Sequence, residues 1–110
     1  MNSDTKPKHT PGPWNIHRNF ECKKGGRRWI EAKNGSEIIA HVYHIGKPGI
    51  IADANARLIA AAPELLEALK MLHDENKDYM KINHLGDPYH NQSMRMALAA
   101  IAKATGGQGE

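Results

Sequence analysis

Apolar and polar positions alternate through the first half of the chain and recur every three or four residues in the second. Trp14, Ile16, Arg18 and Phe20 alternate with Asn15, His17 and Asn19, which is strand period. Trp29 to Lys33 (WIEAK) predicts a second short strand, and Glu37 to Ile45 (EIIAHVYHI) a third. In the third, Ile38, Ala40 and Val42 are assigned to one face and Ile39, His41 and Tyr43 to the other. Bulk on both faces makes this strand the central or most covered one. The connections are Cys22 to Arg28 (CKKGGRR), where Gly25 and Gly26 supply positive φ, and Asn34-Gly35, the strongest hairpin signal in the chain.

After Gly46 to Gly49 (GKPG), Ile51, Asn55, Leu58, Ala62, Leu65, Leu69 and Leu72 follow at intervals of four and three. That is a helical stripe, widened by Ile59 and Leu66. Pro63 falls in its middle, where its ring clashes with the preceding turn, but proline is welcome in the first turn of a helix. The expectation is one helix over Ala52 to Ala61 and a second from Pro63 to Asp78. Gly86-Asp87-Pro88 marks a loop, and Met94, Leu98 and Ile101 mark a last helix, Asn91 to Ala104, capped by Asn91 or Ser93. The predicted fold is α+β: a three-stranded antiparallel meander followed by two or three helices packed on one face. Residues 1–9 are expected to form a flexible arm, 10–104 a single domain and 105–110 a disordered tail.

Composition changes this picture little. The apolar fraction of 40% suits a folded chain of 110 residues, and no run approaches a membrane span. The first fourteen residues hold no hydrophobic stretch of the secretory kind, so a cytosolic protein is expected. Cys22 is the one cysteine, which excludes an internal disulfide. Charge is uneven. Residues 1–30 hold seven Lys and Arg against Asp4 and Glu21, while the remainder holds eight basic and ten acidic residues. A basic segment can attract phosphates or simply be solvated.

Candidate chemistry is sparse. Seven histidines (His9, His17, His41, His44, His73, His84, His90) show no chelating spacing, so no metal site is expected. No HExxH, paired carboxylates, Walker motif, GxGxxG or helix-turn-helix fingerprint occurs. No catalytic set and no cofactor is expected. Attention falls on Asn55, an amide on the inferred buried stripe. A buried amide must find partners. Two remain open: the backbone of Thr10 to Trp14 (TPGPW), where Pro11 and Pro13 lack amide hydrogens, or a ligand. Trp14 is assigned to the core with its indole N–H on backbone, or alternatively to a stacking surface; Trp29, beside Arg27 and Arg28, is a second stacking candidate. Lys23, Lys24, Arg27 and Arg28 around Gly25-Gly26 would suit phosphate.

HTPGPW (His9 to Trp14), a few short strands and then NARLIAAAPELLEAL (Asn55 to Leu69) resemble a large group of small proteins encoded by tailed phages and prophages. The resemblance implies a phage origin and this α+β fold. It is also similar, in size and organisation, to anti-defence "sponge" proteins that sequester nucleotide immune signals such as the cyclic dinucleotides of the CBASS pathway. What that implies is a non-enzymatic homo-oligomer in the host cytosol that binds a cyclic oligonucleotide. Its contacts would come from Thr10, Pro11, Trp14, Arg27, Arg28, Asn55 and Arg57. Two other expectations stand beside it: an inhibitor or adaptor that binds a host protein through its helical face, and nucleic-acid binding through the basic first third.

Overall fold

The computed structural model describes residues 8–19, 27–42 and 49–107, and the side chains of Arg18, Asn19, Arg27 and Gly49 are not among what it describes. Residues 1–7 of the expected arm (1–9), Phe20 with the turn at 21–26 that holds Lys23, Lys24 and Gly25-Gly26, the strand end at 43–45, most of GKPG, and residues 108–110 of the expected tail (105–110) lie outside the described residues. The chain divides into two compact units, Met1–Glu64 and Leu65–Glu110. Its fold is α+β: a three-stranded antiparallel sheet followed by three helices.

In the first unit β1 (Asn15–Asn19), β2 (Arg27–Ala32) and β3 (Glu37–Val42) form a meander of order β1-β2-β3. β2 is the central strand, not β3 as the bulk on both faces of β3 suggests. Consecutive strands pair, which puts the second in the middle, and the bulk on both faces of β3 comes from a register shift between Ile30 and Glu31: Ile30 pairs with Ala40, but Glu31 pairs with Ile38. Ile39 is the extra residue of a bulge, which breaks the period-two alternation. Ile39 and Ala40 therefore both pack against the core, and Ile38 is exposed. The β2–β3 connection is a turn over Lys33–Gly35 with positive φ at Lys33, Asn34 and Gly35, so Asn34-Gly35 marks the hairpin but not a two-residue loop.

α1 (Gly49–Ala60) lies across one sheet face. The core is Ile30, Val42 and Ala56, with Trp14, Ile39, Ala40, Ile59 and Ala60 packed around it. Ala52 and Ala56 are the buried positions of α1, and Ile51, Asn55 and Leu58 are exposed. The expected buried stripe is thus wrong in phase by one residue, a rotation of about 100°. Bulk pointed one way, but alanines win because a helix resting on a three-stranded sheet comes closest through its smallest side chains. The Asp53 position agrees: with Ala52 and Ala56 facing inward, Asp53 reaches Arg28 of β2.

α1 ends at Ala60 and α2 (Ala62–Ile82) begins two residues later, with Pro63 in its first turn as expected. Gly12 of the Thr10–Trp14 corner abuts this break: a Cβ built on it would lie 3.1 Å from Pro63 Cβ. Gly12→Val is therefore expected to destabilise the first unit by about 1–3 kcal/mol through overpacking. The urea midpoint read by tryptophan emission measures it, and an unchanged midpoint would show that the corner does not pack there.

In the second unit α2 is followed by a 3-10 turn, Pro88–His90, and α3 (Gln92–Thr105). Asn91 caps α3, its side chain accepting from the Ser93 amide at 2.9 Å. Gly106, at φ 67°, ends it. His73 and Met94 are the buried side chains here. His73 donates through Nδ1 to Asp74 Oδ1 (3.0 Å), and its Nε2 lies 2.8 Å from the Tyr89 hydroxyl. Its ring also stacks on Tyr89 at 5.8 Å. A buried histidine with both nitrogens engaged fastens α2 to the 3-10 turn.

Candidate functional site

Four surfaces gather the chemistry-bearing side chains, three in the first unit and one in the second. The proline corner comes first. Trp14 donates its indole N–H to the Thr10 carbonyl oxygen at 3.0 Å, and His9 Nδ1 donates to the same oxygen at 2.9 Å. His9 meets the Trp14 ring edge-on, 6.2 Å between centroids. Thr10 and Trp14 are half-buried, Pro11 is exposed, and the Gly12–Pro13 peptide is cis. Trp14 faces the core, so the indole–backbone bond expected of a core tryptophan is the one observed.

Asn55 does not join this corner. Its side chain is exposed and bonds no described residue. The expectation of a buried amide clamping the corner is corrected for the same reason as the stripe: rotation of α1 turns Ala56 inward in its place. The corner is held instead by the Trp14–Thr10 bond and by the approach of Gly12 to Pro63. Arg57 is exposed on α1.

The second surface is an ion pair. Arg28 Nε donates to Asp53 Oδ1, joining β2 to α1, with side chains 11% and 22% exposed. Arg28 thus comes to a carboxylate that sequence reasoning did not single out. The signal was a lone acid at the start of α1, facing a basic strand. Arg27 stands opposite Asn19 in the β1–β2 register.

The third surface is the outer face of the sheet, away from α1. His17, Trp29 and His41 are partners across the three strands. His17 stacks on Trp29 with 4.4 Å between centroids and 16° between planes, and His41 sits 6.0 Å from the indole at 56°. Trp29 Nε1–H donates to Glu31 Oε1 at 2.9 Å, and His17 Nδ1 lies 3.9 Å from the same oxygen. His17 and His41 are exposed and Trp29 half-buried. Of this set the sequence singles out only Trp29 as a stacking residue; the histidines become neighbours through register, which needs the bulge to be known.

The fourth surface belongs to α2. Leu65, Leu72 and Tyr79 are 51%, 65% and 60% exposed and recur every seventh residue, so they lie in one line along the helix. Met71 and Ile82 are exposed as well, with Glu75 and Asp78 beside them.

Among the described residues no cluster of three His, Cys, Asp or Glu side chains is placed to hold a metal ion. No buried side-chain nitrogen or oxygen there lacks a partner. No helix among them is long and apolar enough to cross a membrane. Fold and surfaces together define a small α+β protein with a three-stranded meander, a helix across one sheet face, and exposed aromatic and apolar features. The profile of the family of Salmonella phage P22 protein Y8K6 matches residues 1–108, and the chain belongs to that phage protein family. No curated protein and no solved structure matches the chain.

Proposed function

We propose that this phage protein acts without chemistry of its own, as a host-cytosolic adaptor or inhibitor that binds a host protein through α2. One observation carries this reading: Leu65, Leu72 and Tyr79 stand more than half exposed in one line along α2, with Met71 and Ile82 also more than half exposed on the flank of the same helix. Scattered exposed apolar residues are ordinary, but a continuous line of them marks a surface that becomes covered. Covering each adds about 1 kcal/mol or more. Glu75 and Asp78 border the line, which suits a partner with an apolar stripe and a basic rim.

Leu72→Glu tests it. The residue is 65% exposed, so the fold is expected to tolerate the change. Tagged wild-type protein is expected to retain one stoichiometric host protein that nucleotides do not displace, and Leu72→Glu to lose it. No stoichiometric partner, or equal retention by the variant, would overturn the reading. Light scattering on the purified chain supplies the other occupant to compare, a second copy: a dimer that Leu72→Glu makes monomeric would assign the face to self-association.

A second reading is supported by the basic first third and by the exposed ring set of the outer sheet face: sequestration of a small anionic ligand, a cyclic nucleotide immune signal. Of the residues first assigned to it, Arg28 has its Nε on Asp53 and Asn55 faces solvent. This reading therefore leans on the sheet face more than on the proline corner. Calorimetry against cyclic di- and trinucleotides tests it, and no heat with any of them at micromolar protein would remove it.

A further inference from the structure

The rings of the outer sheet face do not pack into the core, yet their geometry is defined. His17 lies nearly parallel to Trp29, Trp29 is fixed through its indole N–H to Glu31, and the His41 ring lies 6.0 Å from the indole at a tilt of 56°. All of this is built on one cross-strand rung, so the backbone register of β1, β2 and β3 sets the ring positions. We propose that the His17–Trp29–His41 rung with Glu31 is a platform for a nucleobase, a purine that carries N–H donors along one edge. The proposal rests on the second reading above and gives it a location and a base.

Three features support it. A flat pair of rings held parallel and open to solvent offers a stacking surface to any base, because every base has a π-face. The surface is preorganised: Trp29 already has its N–H satisfied and its ring braced by His17, so little freedom is lost on binding. Glu31 then supplies selectivity. It is half-buried beside the indole and acts only as an acceptor when ionised, so it suits a base edge rich in donors. Guanine presents two adjacent N–H groups there, and uracil presents one. Ile38, opposite Glu31 in the β2–β3 register and 57% exposed, adds an apolar shoulder.

The test uses the intact chain and its two indole N–H resonances, the Trp29 signal being the one displaced in Glu31→Gln. Probes are GMP, UMP, inorganic phosphate, cyclic di-GMP and a single-stranded GU-repeat hexamer. GMP is expected to move the Trp29 resonance saturably while that of Trp14 stays in place, with UMP weaker and phosphate silent. His17→Ala is expected to weaken GMP about tenfold, within the range for loss of a base-stacking contact, and Glu31→Gln about tenfold through loss of a charged hydrogen-bond acceptor. His17→Phe, which keeps a ring on Trp29, is expected to retain binding. His17 is exposed, and Gln at position 31 keeps an oxygen that can accept from the Trp29 indole, so these variants are expected to fold, which circular dichroism checks. A hexamer that binds at least about tenfold more tightly than GMP assigns the base to single-stranded nucleic acid, and equal affinities assign it to a free nucleotide; both support the platform. If no base-bearing probe at millimolar concentration moves Trp29, or if His17→Ala and Glu31→Gln bind as the wild type does, the platform is overturned. Heat from cyclic di-GMP with Trp29 unmoved would also overturn it, while leaving nucleotide sequestration standing at another surface.

Discussion

Ala56→Asn is expected to destabilise the Met1–Glu64 unit by about 3 kcal/mol, while Asn55→Ala leaves it unchanged or up to about 0.5 kcal/mol more stable. The two substitutions exchange the same chemistry between adjacent positions of one helix, so the difference reads the rotation of α1 directly. Ala56 is wholly buried between Ile30 and Val42. An amide placed there brings extra volume and polar atoms with no partner in reach, and the two costs add. Asn55 is exposed, so its replacement by the best helix former recovers intrinsic propensity and loses nothing else. Trp14 and Trp29 both lie in this unit, so urea unfolding followed by tryptophan emission reports on it alone. The reverse order, with Asn55→Ala the damaging change, would mean that the larger apolar residues face the sheet.

The second large effect is expected at the Arg28–Asp53 pair. Asp53→Ala removes one acceptor of a guanidinium whose side chain is only 11% exposed. Breaking a buried pair from one side costs several kcal/mol, because a charge is left poorly solvated; with Asp53 itself at 22% exposure, the expected loss is about 2–3 kcal/mol. The double variant Arg28→Met with Asp53→Leu is expected to recover much of it, since neither charge then remains to be solvated. Urea midpoints of the two single variants and the double variant measure the coupling. If Asp53→Ala shifts the midpoint by less than about 0.5 kcal/mol, the pair behaves as a surface contact and Arg28 is better placed to meet a ligand than to hold α1.

These two expectations show what the chain discloses by itself. Strand period, the Asn34-Gly35 signal, the place of Pro63 and the Met94–Leu98–Ile101 spacing locate the three strands and three α-helices to within a few residues, while the 3-10 turn at Pro88–His90 reads only as a loop. They do so because turns and helix starts are local chemistry. The Asn91 cap on α3 and the indole bond of Trp14 are local in the same sense. The rotation of α1 is not local. It depends on which side chains let helix and sheet come closest, and the chain's larger residues pointed to the wrong side. The outer ring set stays hidden for a related reason. His17, Trp29 and His41 are twelve residues apart in each step, and only strand register makes them neighbours. Of the residues first marked for a ligand, Thr10 and Trp14 do meet, Arg28 meets an acid, and Asn55 stands apart from both.

The extra residue at Ile39 bears on solubility. β3 is an edge strand among the described residues, and an edge strand is where a second chain can lay a strand of its own. Its segment EIIAHV is apolar and β-branched, the composition that favours such growth. A regular ladder of that kind invites fibrous stacking, and a strand that is one residue out of step does not. The irregularity that moves Ile38 to the surface therefore also spoils the edge as a mould, and a variant lacking Ile39 is expected to clump more readily than the parent chain.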